Sequence, residues 1–182
     1  MKLIRRWSLM KSVTDENIAE HSAQVAQIAH ALALIKNRMF GGTLNADRIA
    51  AAALYHETSE VLTGDLPTPI KYYNSEIRNA YKSIENIAND KLISMLPEEL
   101  REDYGELIKL PTDSYEYILI KSADKIAAYI KCVEELRSGN REFAKAELAL
   151  RAEVDNYRKY DEVAYFLDTF MDTFEKTLDE LE

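Results

Sequence analysis

Apolar residues recur at spacings of three and four along most of this chain, and the strict alternation of a half-buried strand is almost absent. In DENIAEHSAQVAQIAHALALIKNR, Val25, Ile28, Leu32 and Ile35 form one stripe and predict a helix. His21 falls one turn before Val25 on the same side. FGGTLN interrupts the pattern, and Asn45 is placed to cap a second helix from about Ala46 to Leu62. Ile49, Leu54 and the alanine run 50–53 make that helix apolar on nearly every side, which predicts a central position. Gly64, Pro67 and Pro69 in TGDLPTP end it.

The third long pattern runs from about Ser75 to Met95, with Ile77, Tyr81, Ile84, Ala88 and Leu92 on one side. LPEEL reads as a short helix and KLPTDS as a connection. Helices are expected from Tyr115 to Leu136, from about Arg141 to Tyr157, and from Glu162 to Leu181. Phe166, Phe170, Phe174 and Leu178 line the last one as a packing stripe. No repeat or boundary divides the chain, so the expectation is one compact all-α domain over residues 1–182.

Composition agrees with helices, since 182 residues hold only 5 Gly and 4 Pro. A chain of this length buries roughly two-thirds of its unfolded surface, so the core requires no staple. The net charge of −9 argues against a nucleic-acid polymer. Lys2, Arg5, Arg6 and Lys11 gather around Trp7, a cluster sized for one phosphate. A lone cysteine, Cys132, forms no internal disulfide and reads as a structural thiol in a reducing compartment. MKLIRRWSLMK lacks the pattern of a cleaved signal, and no run approaches the roughly 18 apolar residues of a membrane span. A soluble cytoplasmic protein is expected.

Chemistry enters where ionisable residues interrupt apolar faces. His56 and Glu57 lie on the densely apolar second helix, and Asp124 takes a core position in the sector of Tyr117, Ile120 and Ala127. A carboxylate is seldom found there without a partner. Singly, His21 and His56 read as buried structural histidines, Glu57 as a half-exposed acid, and Asp124 as a partner for Lys71, Lys121 or Lys125. Together, His21, His56, Glu57 and Asp124 supply two imidazoles and two carboxylates from three helices, a donor set for manganese, cobalt, iron, zinc or magnesium. His30 lies off the stripe and reads as structural or surface.

A metal held there would bind a phosphate oxygen and acidify a water. Glu60 follows His56 by four residues, sharing its helix face, and is the acid/base candidate, with a solvated acid as the alternative. Arg6 suits a phosphate because guanidinium offers a fixed fork of donors; the alternative is a surface charge. Trp7 reads as a sugar or base cover, or as a packing anchor. Asp65 either accepts from a sugar hydroxyl or caps LPTP.

The ordered blocks RRWSLM, ENIAEHSAQVAQIAHALA, LYHETSEVLTGDLPTPIKYYN and KSADKIAAYIKCVEEL resemble the bacterial 5'-deoxynucleotidase branch of the HD-domain metal-dependent phosphohydrolases. The resemblance spans nearly the whole chain. It implies a compact all-α HD-domain bundle around a central metal site, usually a homodimer, that hydrolyses deoxyribonucleoside 5'-monophosphates to deoxyribonucleosides and phosphate. It also implies a metal set of His21, His56, Glu57 and Asp124, with cobalt or manganese the first expectation and magnesium, zinc or iron open. Glu60 would manage protons, Arg6 the phosphate, and Trp7 and Asp65 the sugar. One departure is plain: the paired His-Asp of that family reads His56-Glu57 here, a carboxylate longer by about 1.5 Å. That change puts metal affinity, preferred ion and rate in question. Two rivals stand beside this reading: an HD-type phosphohydrolase with a different small phosphate substrate, and a catalytically impaired helical interaction protein.

Overall fold

A computed structural model of the chain describes residues 1–180, and for Leu178 its backbone alone. The described residues contain no strand, only one isolated antiparallel bridge between Arg5 and Asn17. The principal helix α1 spans Ile18–Met39. Asn17 caps it through bonds from the Ala19 and Glu20 amides, and the Glu20 carboxylate returns a bond to the Asn17 amide. This reciprocal cap fixes the start of the helix that carries His21. Val25, Ile28, Leu32 and their alanine neighbours are buried as the spacing predicts.

Helix α2 runs Ala46–Leu54 and packs along α1, while α7, Tyr115–Arg137, lies across both. The faces they share include Ala29, Ala33, Ala52, Ala53, Ala123 and Ala127, all at or near zero exposure. Small side chains let three helix axes approach closely, so backbone-borne ligands converge near one point. Helices α8, Ala144–Asp155, and α9, Asp161–Phe170, close the other side of α7 and α1.

The expected single helix over Ala46–Leu62 is broken. It ends at Leu54, passes through turns at residues 55–59, and resumes as the short α3, Glu60–Thr63. Across the break the bonds tighten to a three-residue span: Tyr55 to Ala52, Thr58 to Tyr55, Glu60 to Glu57 and Leu62 to Ser59. Side chains occupy the carbonyls a regular helix would use. The His56 ring donates to the Ala53 carbonyl at 2.7 Å and the Thr58 hydroxyl to that of Tyr55 at 2.6 Å. Gly64, at φ 71°, then reverses the chain in a conformation that favours glycine, and α4 covers Thr68–Lys71.

Beyond this break one expected helix is found and another is corrected. Helix α5, Ser75–Ser94, follows the expected bounds and buries Tyr81 and Ala88, with Ile77 and Leu92 half-buried; Ile84 of the stripe is 50% exposed and Ile87 beside it 67% exposed, without cover among the described residues. Helix α9 ends at Phe170, where the Thr173 hydroxyl captures the Phe170 carbonyl and 3-10 turns follow over Met171–Glu175. Phe166 is buried, Phe170 is 39% exposed and Phe174 packs against the core. The expected end at Leu181 lies outside the described residues. LPEEL becomes a 3-10 turn, Glu98–Leu100, leading into α6, Arg101–Ile108. Among the described residues no helix is long and apolar enough to cross a membrane.

Candidate metal centre and phosphate pocket

Three elements bring the four expected donors together: α1 supplies His21, the turn after α2 supplies His56 and Glu57, and α7 supplies Asp124. One donor atom from each lies within 4.8 Å of all the others. His21 Nε2 is 3.0 Å from Asp124 Oδ1, while His56 Nε2 is 3.4 Å from Glu57 Oε1 and 3.9 Å from Asp124 Oδ1. Because the His56 Nδ1–H donates to Ala53, its Nε2 carries the lone pair and is turned toward both carboxylates. That Nε2 is buried without a hydrogen-bond partner, as are His21 Nδ1 and Glu60 Oε2. A lone pair aimed into a nitrogen and oxygen donor set, with nothing to receive it, is what a divalent cation requires.

The electrostatics sort the acids into two kinds. Burial opposes charge on Asp124, but the Lys121 charge, then the hydrogen bond with His21, hold it well below the ordinary carboxylate range. The Lys121 ammonium donates to Asp124 Oδ2 at 2.9 Å, leaving Oδ1 toward the histidines. Burial, then the Arg6 charge, depresses His21 and favours the neutral imidazole a metal would need. Burial also opposes charge on Glu57, and His56 and Lys121 outweigh it, so Glu57 stays ionised. Glu60 goes the other way: burial, then the Glu57 and Asp65 carboxylates, raise it to about 9. Of the neighbouring pair Glu57 and Glu60, the proton belongs to Glu60.

A cavity of about 510 Å³ opens beside this cluster. Glu57, Glu60, Asp65, Lys71, Lys121 and Asp124 line its charged part with Arg6, and Leu9, Met10, Ala128, Ala149 and Leu150 its apolar part with Trp7. The expected Arg6, Trp7, Asp65 and Glu60 thus share one pocket with Glu57 and Asp124, the two carboxylates of the donor cluster. Asp65 is raised by burial, its largest influence. Trp7 stands at φ 58°, the one described non-glycine residue in the left-handed region, with its ring 5.2 Å from that of Phe143. Glu60 reaches the pocket from the first residue of α3, not from a helix continuous with His56. His30 is elsewhere, half-buried and 3.4 Å from Asp47, and Cys132 is a buried thiol pushed up to about 12 by burial. The charge partner of Asp124 is Lys121, one of the three lysines its position allowed.

Sequence reasoning passed over Glu16 and the pocket role of Lys71 and Lys121. Glu16 Oε2 accepts from both Arg6 Nε at 3.0 Å and Trp7 Nε1 at 2.9 Å. It precedes a helix cap and breaks no apolar stripe, so spacing alone carries no signal for it.

The helical arrangement and this donor set define an HD-domain protein. The fold superimposes on an HD-domain phosphohydrolase from Listeria innocua with TM-score 0.83 and 26% identity, covering 94% of this chain and 82% of that one. A protein from Pyrococcus horikoshii shares the fold at TM-score 0.68 and 20% identity, over 96% of this chain and 91% of that one. Residues 1–174 match the family described as 5'-deoxynucleotidase YfbR-like, and the chain belongs to that family. It is similar to a 5'-deoxynucleotidase of Vibrio cholerae, at 58% identity over 100% of this chain and 93% of the relative. To 5'-deoxynucleotidase YfbR of Escherichia coli it is 53% identical over 100% of this chain and 91% of that protein.

Proposed function

We propose that this pocket hydrolyses deoxyribonucleoside 5'-monophosphates to deoxyribonucleosides and inorganic phosphate, and that His21, His56, Glu57 and Asp124 hold one divalent ion, cobalt or manganese, for the purpose. The observation that carries the reading is the shared cavity: the two carboxylates of the four-donor cluster, a proton-bearing Glu60 and Arg6 all line it. An ion bound there supplies Lewis acidity toward a phosphate oxygen and a water. Arg6 spends its Nε on Glu16 and presents its Nη donors to the phosphate; Lys121 and Lys71 add positive charge on the same wall. Water adds to phosphorus as the bond from phosphorus to O5' breaks. The Glu60 proton goes to O5', so the nucleoside leaves as a neutral alcohol; one proton of the attacking water restores Glu60 and the other stays on the phosphate, which leaves as hydrogen phosphate. Trp7 covers the sugar and Asp65 accepts from its hydroxyl, while the apolar part of the cavity receives the base.

The whole chain acts as one cytoplasmic unit in this proposal, and two copies pair through the uncovered α5 layer. Leu62, Ile70, Tyr73, Ile84 and Ile87 are each more than a third exposed on α3, on α5 or beside them, and α5 packs against both α3 and α4. Ile87→Asp is expected to convert a dimer into a monomer in sedimentation velocity at micromolar protein; an unchanged sedimentation coefficient places the contact elsewhere.

Phosphate release tests the activity. Metal-stripped protein is supplied separately with cobalt, manganese, magnesium and zinc, and given all four deoxyribonucleoside monophosphates and their ribo counterparts. The expected result is release from the deoxy series, fastest with cobalt or manganese. A folded, metal-loaded sample that cleaves none of them overturns the proposal.

A further inference from the structure

Glu16 lies at the seam between the N-terminal segment and α1. Its backbone carbonyl accepts from the Arg6 amide at 2.9 Å, next to the Arg5–Asn17 bridge, and Asn17 in turn caps α1 one turn before His21. The side chain is only 10% exposed, and both its oxygens face functional groups. Oε2 takes the Arg6 guanidinium and the Trp7 indole together, while Oε1 is 3.9 Å from His21 Nδ1, the nitrogen left without a partner in the core. That distance is beyond the ~3.2 Å of an N–H···O bond, so Oε1 neighbours the His21 ring without bonding to it.

The segment around Glu16 is itself tied down from α7. The Glu135 carboxylate accepts from the Val13 amide at 2.8 Å and the Thr14 amide at 3.2 Å, and the Lys131 ammonium donates to the Thr14 carbonyl at 2.6 Å. Asn140 adds a bond to the Lys11 carbonyl at 2.7 Å. So the carboxylate that gathers Arg6 and Trp7 is held by a chain segment anchored at two ends, and Trp7 keeps a left-handed backbone that a free loop would abandon.

We propose that Glu16 is a positioning residue that locks Arg6 and Trp7 into one arrangement, so that the guanidinium and the indole of the pocket share a single carboxylate. The inference rests on the proposed nucleotidase reading for its substrate. Its physical content is independent: Glu16 sets the direction of Arg6 through the Nε bond, which aims the Nη fork into the cavity. Trp7 is placed by the same oxygen, so ring and fork move together.

Glu16→Gln keeps the shape and one carbonyl acceptor but removes the charge that serves two donors and faces a histidine. Trp7 is the only tryptophan of the chain, so its emission reports this site directly. In manganese-loaded protein the variant is expected to shift Trp7 emission to the red and increase its quenching by acrylamide. KM for deoxythymidine 5'-monophosphate should rise about tenfold to a hundredfold, the loss typical of one charged hydrogen bond, with a smaller fall in kcat. In an Arg6→Ala background the same change should add little to KM, because the carboxylate acts through the arginine.

An unchanged KM with unchanged emission overturns the proposal, and so does a KM increase that persists in full without Arg6. Calorimetric titration with inorganic phosphate separates this failure from failure of the substrate assignment. If wild-type protein cleaves no deoxynucleotide, Glu16→Gln must still weaken phosphate binding and shift Trp7 emission for the positioning role to stand.

Discussion

Glu60→Gln is expected to lower turnover by about a hundred- to ten-thousandfold while the protein still binds one divalent ion per chain. Glutamine fills the same space and has no proton to give to a leaving alkoxide. Steady-state phosphate release and metal content after dialysis read the two halves of this result; loss of both would make Glu60 a ligand. The same substitution has a second, opposite signature in stability. Glu60 is raised from an ordinary value of 4.5 to about 9, so between those values the folded protein holds a proton that the unfolded chain has released. Stability contributed by that bound proton is present at low pH and is lost as pH rises through the window.

Metal-stripped wild type should therefore melt progressively lower between pH 5 and about 9. Metal-stripped Glu60→Gln, with no carboxyl to ionise there, should melt several degrees above it at pH 8, each kcal/mol being worth about 2–4 °C in a chain of this size. At pH 4 the two should converge. Glu57 and Asp124 are shifted downward, so their contribution is lost only in acid below this window. A melting difference that does not change with pH would mean that Glu60 is ionised throughout. An acid kept protonated near neutrality at a cost in stability is the trade expected at a catalytic position.

Asp124→Asn is the other large effect. The carboxylate is the one group that contacts His21, His56 and Lys121 together. Losing its charge should lower manganese affinity by at least about a hundredfold, since the donor set then has a single anion and the Lys121 ammonium faces no countercharge. Wild type at a manganese concentration about 100 times its dissociation constant gains about 2.7 kcal/mol, or roughly 5–10 °C, in a thermal melt. Asp124→Asn should show almost none of that gain at the same concentration, and phosphate release should fall to background. A full thermal shift in the variant would remove Asp124 from the ligand set.

The legible parts of this molecule were those with a periodic or a compositional cost. α1 and α7 announced themselves through apolar stripes, and Asp124 through a charge in a stripe where a core residue belongs. His21, His56 and Glu57 were visible for the same reason. What remained hidden depended on side chains competing with the backbone. No periodicity reports that the His56 ring and the Thr58 hydroxyl occupy the Ala53 and Tyr55 carbonyls, so a continuous helix over Ala46–Leu62 was the natural expectation and the turn at 55–59 was missed. Thr173 hid the end of α9 in the same way. Glu16 was invisible because its partners, nine and ten residues upstream, meet it only after the N-terminal segment folds back along the start of α1. The apolar stripe of α5 was legible, but amphipathicity shows which face is apolar and not what covers it.

The turn between α2 and α3 has one further consequence, for substitution over evolutionary time. A ligand on an unbroken helix has its Cβ fixed by the neighbouring turns, and a carboxylate one methylene longer would overshoot. Residues 55–59 make three-residue bonds instead, and Glu57 still brings its carboxylate to 3.4 Å from His56 Nε2. Two of the four donors, His56 and Glu57, are thus carried on backbone outside a regular helix, while His21 and Asp124 stay on α1 and α7. A lineage can lengthen the acid of the pair and retune the loop beneath it, leaving the two long helices that frame the centre undisturbed.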